Sequence, residues 1–173
     1  MLNDKIKIEE GACYHLYNRG NNRAAVFFEL GNYLHFMKQF EKYVAPYCEI
    51  YAYCLMPNHF HFFVKVHDKR YFEKGIKNFF ISYSKSINRQ YDRVGSLFQG
   101  RYKAKEITSD SYYARIITYI HRNPVVAGLV TNLENYPYSS YGDYIENIPS
   151  FLSRSEVLNW FGNIDNFIKE HEL

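Results

Sequence analysis

The clearest pattern in the chain is an alternation at residues 59–66, His-Phe-His-Phe-Phe-Val-Lys-Val. Successive side chains of a strand point to opposite faces, so this run predicts a strand with one buried apolar face. The residues of that face are Phe60, Phe62, Val64 and Val66. The aromatic-rich run at 47–55 predicts a second strand, and Pro57-Asn58 predicts a turn between the two. Together they are expected to form a hairpin.

Helical spacing replaces alternation in two other stretches. Residues 32–45 carry apolar side chains at most inner helical positions, and Pro46 stops this predicted helix. Residues 71–91 carry a long apolar stripe. The basic residues of that helix lie mostly off the stripe, namely Lys74, Lys77, Lys85 and Arg89.

The remaining elements are shorter. Residues 12–19 predict a strand that leads into a turn at 20–22, and residues 102–108 predict a short final strand. A third helix is expected to start at Ser109 or Asp110 and run to about Arg122, with Pro124 ending it. The tail predicts one weak helix near 153–161.

The order of these elements is strand, helix, strand, strand, helix, strand, helix. This order predicts an α+β fold of the ferredoxin-like split βαβ type, an antiparallel sheet with helices on one face, followed by a C-terminal helix and a tail. The chain has 173 residues and no Pro/Gly/Ser-rich linker, which predicts a single domain over 1–173.

Several classes of protein are disfavoured by composition. The sequence contains no run of about 18 apolar residues, so it predicts no membrane span. Met1–Lys5 lacks the apolar stretch of a signal peptide. The three cysteines show no CxxC spacing, which favours reduced, buried thiols in a cytoplasmic protein.

Aromatic content and charge distribution both allow contact with nucleic acid. Phe, Tyr and Trp make up 19% of the chain, which fits either an aromatic core or a surface that stacks on unpaired bases. The net charge is only +3, but residues 65–105 hold 11 Lys/Arg against 3 Asp/Glu, whereas 124–173 hold 2 against 7. A basic middle suggests a polyanionic partner, although a solvated helix face explains the charge equally well.

His59 and His61 are the first candidates for chemistry. Residues two apart in a strand share a face, so the two imidazoles are expected side by side. Such a pair suits metal capture. The alternative is a pair of histidines that bond other groups at the sheet edge.

The third helix supplies further candidates. Tyr119 and Asn123 are four residues apart and share a helical face, with Tyr112 and Arg115 along the same side. The opposite side carries Ile116, Ile117 and Ile120, which are expected to pack on the sheet. The Asn123 carbonyl oxygen is a possible third metal ligand, with the Tyr119 hydroxyl one turn away. Tyr119 is then either a nucleophile, activated by a metal at a phosphate, or one more packing tyrosine among 18.

At this point a resemblance to a known family emerges. His59-Phe60-His61 matches the His-hydrophobic-His motif of the HUH endonucleases, and the run at 55–61 resembles the signature of their single-tyrosine transposases. The chain is most similar to the REP-associated tyrosine transposases, which act on palindromic repeats in bacterial chromosomes. The match covers about residues 11–144 and leaves 145–173 as a tail with a short helix. The other matching blocks lie at 18–23, 95–101, 119–130 and 136–141.

The resemblance implies roles for individual residues. His59, His61 and Asn123 would hold Mg²⁺ or Mn²⁺, and Tyr119 would be the nucleophile that forms a 5′-phosphotyrosine. The substrate would be single-stranded DNA beside a hairpin, acted on in the bacterial cytoplasm at the nucleoid, with a monomer favoured over a homodimer. The DNA-binding residues would be Arg19, Asn21, Asn22, Arg23, Lys74, Lys77, Lys85, Arg89, Arg101 and Arg115.

The sequence departs from the family pattern in two segments. Tyr136 and Tyr138 stand where relatives commonly carry tryptophan, which preserves stacking but removes any indole hydrogen bond. Val125-Val126 replaces a usual valine-arginine, which removes one expected phosphate contact. Two alternative functions stay open beside the nuclease: a hairpin-binding protein that does not cut, and a metal hydrolase that uses water.

Overall fold

A four-stranded antiparallel sheet forms the centre of the computed structural model, which describes residues 7–172. The strands are β1 (Cys13–Arg19), β2 (Cys48–Met56), β3 (His59–Val66) and β4 (Lys103–Ile107), in the spatial order β2-β3-β1-β4. The predicted hairpin of β2 and β3 is confirmed, and all four strands lie within one or two residues of the predicted bounds. The central strand β3 pairs with both β1 and β2, so its side chains lie in the middle of the sheet.

Six helices cover the sheet. Helices α1 (Leu30–Tyr43) and α2 (Lys69–Gln90) pack on one face, as the split βαβ pattern predicts. Helix α3 (Asp110–Val126) packs on the other face, together with α4 (Tyr141–Ile145), α5 (Arg154–Phe161) and α6 (Ile164–His171). The sheet therefore separates two apolar cores, and both of its faces are largely covered.

The alternation in β3 assigns its residues to these two cores. Phe60, Phe62, Val64 and Val66 are buried against α1 and α2, as predicted. Phe63 is buried against α3, where Ile116, Ile117 and Ile120 provide the predicted apolar side of that helix.

Helix α3 does not end before Pro124, so that prediction is wrong. The helix continues through Pro124 to Val126. Proline has no N–H to donate to the carbonyl four residues earlier, which here belongs to Ile120. The Asn123 side chain compensates, because its Nδ2 lies 3.4 Å from the Ile120 carbonyl oxygen and 2.8 Å from that of Tyr119.

The tail is more structured than predicted. It contains α5, close to the predicted 153–161, and a second helix, α6, that was not predicted. A chain of buried hydrogen bonds ties α6 to α3 and β2. His171 donates through Nδ1 to the Phe167 carbonyl, so its Nε2 accepts from His121 Nδ1, and His121 Nε2 in turn accepts from Ser140 Oγ. The Ser140 hydroxyl also accepts from the backbone N–H of Tyr53 on β2.

Several expectations from composition can be compared with the structure of residues 7–172. The cysteines at 13, 48 and 54 are buried and free, as expected. Among residues 7–172, no helix is both long and apolar enough to cross a membrane. Residues 1–6 and Leu173 lie outside the described residues. The expectation about a signal peptide at Met1–Lys5 and the outer bounds of the predicted domain over 1–173 therefore stay predictions.

The buried histidine pair predicts that stability falls in mild acid. Burial lowers the pKa of His171 to about 4 and that of His121 well below its ordinary value. The unfolded chain, with ordinary pKa values near 6.5, therefore takes up protons first as the pH falls from about 6.5 towards 4. Each histidine contributes a slope of up to about 1.4 kcal/mol per pH unit in that window. Urea unfolding of wild type and His171→Leu at pH 7.5, 6.5 and 5.5 measures this slope.

We expect His171→Leu to be less stable than wild type at pH 7.5 but to have a shallower pH dependence. His67→Leu, which removes an exposed histidine instead, should keep the wild-type slope. An unchanged slope in His171→Leu would show that the pair is not responsible.

Candidate active site

His59 and His61 lie next to each other on the face of the sheet that α3 covers. Their ring centroids are 5.1 Å apart and their planes are nearly perpendicular, at 87°. His61 is buried, with 6% of its surface exposed, and His59 is half-buried at the start of β3. The predicted side-by-side arrangement is therefore present, at the end of β3 that opens towards the β2–β3 turn.

Each of these histidines has a hydrogen-bond partner at Nδ1. His61 Nδ1 lies 2.8 Å from Nε2 of His15, and His59 Nδ1 lies 2.6 Å from Oδ1 of Asn58. No hydrogen bond from the described residues reaches Nε2 of either ring. Both rings thus satisfy one nitrogen within the protein and leave the other available.

The environment keeps these histidines neutral. Burial lowers the pKa of His61 to about 2, with further lowering from nearby His15 and His59. Burial, helped by the positive charge of Lys105, lowers the pKa of His15 to about 4, and burial also lowers that of His59. Neutral imidazole is the form that binds a metal ion, so all three rings are ready to act as ligands or acceptors near pH 7.

Helix α3 brings Tyr119 to this pair. The Tyr119 ring makes edge contacts with His61 and His15, at centroid distances of 5.8 and 5.9 Å, while 52% of its surface stays exposed. The apolar side of α3 is buried on the sheet, so the helix cannot turn this ring away without exposing its core. A predicted nucleophile and a predicted ligand therefore lie in contact, on elements 58 residues apart in the sequence.

Asn123 is placed differently from Tyr119. Its amide nitrogen bonds back to helix carbonyls, and its side chain lines a surface depression shared with Tyr119 and Arg115. Within the described residues, no hydrogen bond or ring contact joins Asn123 to either histidine of β3. Its side-chain amide oxygen, Oδ1, has no hydrogen-bond partner among the described residues, and its predicted role as a ligand stays a prediction.

A cleft of about 500 Å³ opens in front of the two histidines. Three cations line it: Arg19 at the end of β1, Arg23 in the following turn, and Lys103 on β4. The remaining lining residues are Tyr17, Asn18, Asn58, His59, His61 and Gln99. The combination of neutral imidazoles and cations, with no carboxylate among these nine residues, suits a phosphodiester.

The turn at Asn21–Arg23 lies beside this cleft, and its Arg23 is a lining residue. Asn22 and Arg23 have positive φ angles, 52° and 58°, and both side chains are exposed. The turn is braced on two sides, by the Asn21 N–H to the Leu97 carbonyl and by the Asn58 side chain to the Arg23 carbonyl. Arg19 is held by the Gln99 side chain, to which its Nε donates.

The predicted basic helix lies on the opposite side of the sheet from the histidines. Lys74, Lys77 and Lys85 of α2 line a groove of about 1240 Å³ with Arg101, over a floor that includes Phe80, Phe98 and Tyr102. Arg89 lines a shallower depression on the other side of Lys85. The segment between Phe98 and Arg101 joins the two regions, because Gln99 lines the cleft while Arg101 lines the groove.

Sequence reasoning missed several residues in or next to the cleft. His15, Tyr17 and Lys103 share the face of His61, because alternate residues of β1 and β4 point the same way. The signal was present in the alternation at 12–19 and 102–108. It becomes informative only when the register places Tyr17 opposite His61.

The donor set fits a divalent ion only in part. Within residues 7–172, no cluster of three or more His, Cys, Asp or Glu side chains could hold a metal ion. Two imidazoles with available Nε2 atoms do fit such an ion, and a third protein ligand has to be an amide or another neutral oxygen.

Comparison with known proteins places this geometry in context. A family model described as IS200-like transposase matches residues 10–123. Among solved structures, the chain is similar to a REP-associated tyrosine transposase bound to a REP hairpin, with a TM-score of 0.65 and 18% identity over 87% of this chain and 90% of that chain. This likeness shows a shared fold.

A second solved structure gives a weaker match, which supports no argument. It is a bacterial tRNA(His) guanylyltransferase-like protein in complex with GTP, at a TM-score of 0.43 and 12% identity over 75% of this chain and 72% of that chain. No curated protein sequence matches the chain.

The turn beside the cleft predicts a sharp effect of one substitution. A Cβ at Gly20 would lie 1.9 Å from the Ala24 carbonyl oxygen, a backbone atom that can move only with the turn. We expect Gly20→Ala to lower the free energy of unfolding by about 1–3 kcal/mol. Gly142→Ala, whose Cβ meets nothing within 4 Å, is the control, and it should be stabilised by up to about 1 kcal/mol because Gly142 lies in helix α4, where alanine is favoured over glycine. Equal stability of the two variants in urea unfolding would contradict the close approach at Gly20.

Proposed function

The chain belongs to the IS200-like transposase family, and from that premise we propose that it cleaves and rejoins single-stranded DNA through a covalent bond to Tyr119. The observation that carries this proposal is the contact of the Tyr119 ring with His61, a histidine that itself lines the cleft together with its three cations. An exposed tyrosine beside two neutral imidazoles is suited to act on a phosphodiester bound in that cleft.

In this proposal, His59 and His61 would hold Mg²⁺ or Mn²⁺, with the side-chain amide oxygen of Asn123 as the third ligand. A bound divalent ion would neutralise charge on the scissile phosphate and make phosphorus more electrophilic. Asn123 reaches this role by rotation of its side chain away from the helix carbonyls that it now contacts.

Tyr119 carries the covalent step. Its oxygen forms a bond to phosphorus as the bond from phosphorus to the 3′ oxygen of the preceding nucleotide breaks. The phenolic proton passes to solvent, and the departing 3′ oxygen ends as a hydroxyl. The product is a 5′-phosphotyrosine, whose ester bond keeps the energy needed for rejoining by a 3′ hydroxyl. Arg19, Arg23 and Lys103 hold the phosphates on either side by charge.

The partner we propose is hairpin DNA with an adjoining single strand. The solved transposase of similar fold is bound to a REP hairpin. Here the groove of α2 offers Lys74, Lys77, Lys85 and Arg101 to phosphates, and the cleft offers its own cations. DNA that engages both surfaces has to pass over the segment at 98–101. Because α3 packs on the sheet of its own chain, a monomer contains all the proposed groups.

The first prediction from this proposal concerns the nucleophile. Tyr119→Phe should abolish the covalent protein–DNA adduct and retain DNA binding, because only the hydroxyl is lost. The measurement is a denaturing gel of protein with labelled single-stranded hairpin oligonucleotides, in Mn²⁺ or in chelator. Tyr112→Phe, at another exposed tyrosine of α3, is the matched control and should form the adduct, whereas His59→Ala should not.

Each other outcome of that gel would assign a different nucleophile or a different activity to the protein. An adduct that persists in Tyr119→Phe and disappears in Tyr112→Phe would make Tyr112 the nucleophile. Metal-dependent cleavage without any adduct would identify a hydrolase that uses water. Binding without cleavage across a broad set of hairpins would identify a hairpin-binding protein that does not cut.

The second prediction concerns the groove. Lys85→Ala should weaken DNA binding about equally for all sequences and reduce the salt slope of log K by up to about 1, because one phosphate contact is lost. Fluorescence anisotropy between low and moderate salt measures both quantities. Lys38→Ala, at an exposed lysine of α1 outside the groove, is the control and should bind as wild type does. An unchanged slope in Lys85→Ala would place the DNA elsewhere.

A further inference from the structure

The hydrogen bonds at Nδ1 of His59 and His61 bear on which nitrogen of each ring carries the proton. A neutral imidazole carries one proton, on either Nδ1 or Nε2, and only the unprotonated nitrogen can bind a metal. The partner at one nitrogen therefore decides whether the other is a ligand. Both histidines have a partner at Nδ1, and in both the Nε2 atom has none among the described residues.

For His59 the direction of the hydrogen bond follows from the surrounding contacts. The Asn58 amide nitrogen donates to the Arg23 carbonyl at 3.2 Å, which turns the amide oxygen towards His59. That oxygen can only accept, so His59 must donate from Nδ1 at 2.6 Å. Its Nε2 is consequently the lone-pair nitrogen. The backbone of Asn58 is held as well, since its carbonyl accepts from the Gly20 N–H at 2.7 Å.

For His61 the partner is another imidazole, and either ring can donate in their hydrogen bond. If the proton of His15 is on its Nδ1, its Nε2 accepts and His61 donates from Nδ1. His15 lies on β1, opposite Phe63 and one alternation away from the residue that pairs with His61. Its ring is stacked near that of His61, with centroids 5.0 Å apart, and its Nε2 faces His61 Nδ1 at 2.8 Å. The Tyr17 ring stacks on the His15 ring, with centroids 4.9 Å apart, so the His15 ring is held in place by packing.

We propose that His15 and Asn58 are positioning residues whose acceptor atoms hold His61 and His59 in the Nδ1–H tautomer, so that both Nε2 lone pairs serve a metal ion in the cleft. Neither residue touches the ion. Each removes a choice that the imidazole would otherwise have, and each raises the basicity of the nitrogen that binds. The inference rests on the proposed metal role of the two histidines, but not on Tyr119 or on cleavage.

The first test uses the wild-type protein without DNA. Two-bond ¹H–¹⁵N spectra of histidine side chains show which ring nitrogen carries the proton. We expect the Nδ1–H tautomer for both His59 and His61 in the metal-free protein at neutral pH. Protonation of either ring at Nε2 would overturn the inference, whatever the protein does to DNA.

The second test is a calorimetric titration with Mn²⁺ alone. His15→Leu removes the acceptor and should weaken Mn²⁺ binding about 10- to 100-fold, a typical effect of losing such a partner. His15→Gln restores a carbonyl acceptor and should recover most of the affinity. Asn58→Leu should weaken binding similarly, while Asn58→Asp, which can only accept, should bind at least as tightly as wild type. His67→Leu, outside the cleft, controls for the loss of a histidine.

The outcomes separate this inference from the proposed function. Wild-type Mn²⁺ affinity in folded His15→Leu or Asn58→Leu, or no Mn²⁺ binding by the wild type, would overturn it. If the titrations behave as expected and no covalent adduct forms on DNA, the nuclease proposal fails while the positioning role stands. If His15→Leu does not fold, the tautomer spectra of the wild type and the Asn58 variants still decide.

Discussion

The register between β1 and β3 is the constraint on which the rest of the structure depends. In β3 every second residue belongs to the core under α1 and α2, and the residues between them carry the imidazoles. A shift of one residue would turn His59 and His61 into that core and expose Phe60 and Phe62. The apolar side therefore fixes the position of the polar side. The pairing of Tyr17 with His61 then brings His15 within hydrogen-bond distance.

The packing of α3 adds the second half of the site under a similar constraint. Ile116, Ile117 and Ile120 are buried on the sheet, and Tyr119 is left at the boundary, beside His61. The last turn passes through a proline, and the Asn123 amide contacts the carbonyl that Pro124 leaves without a backbone donor. Asn123 thus has a structural role in the last turn of α3. In our proposal it exchanges these contacts for the ion, so metal binding and the local geometry of α3 are coupled.

Local patterns predicted the elements of the fold but not all the relations between them. Alternation and helical spacing located the four strands and α1 to α3, because each pattern is contained in one element. His15 could not be recognised, since its partner is 46 residues away and only the register joins them. Helix α6 was missed although its signals are local, since the Asn163 side chain caps its first turn and Ile164, Phe167 and Ile168 recur at helical spacing. Only its pairing with α3, through His171 and His121, spans 50 residues. The family resemblance was confirmed by the family model, which matches residues 10–123. That the basic helix lies on the face opposite the histidines follows from topology, which composition does not report.

The charge of the proposed ligands explains why their hydrogen bonds matter. Two imidazoles and one amide bring no negative charge, so a bound ion keeps its full charge for the phosphate. The same neutrality weakens the hold of the protein on the ion, because no carboxylate attracts it. Neutral ligands must therefore bind through geometry and basicity, and both depend on the atoms behind them. In our proposal His15 and Asn58 occupy those positions, so the affinity of the site for an ion would depend on them as well as on the ligands.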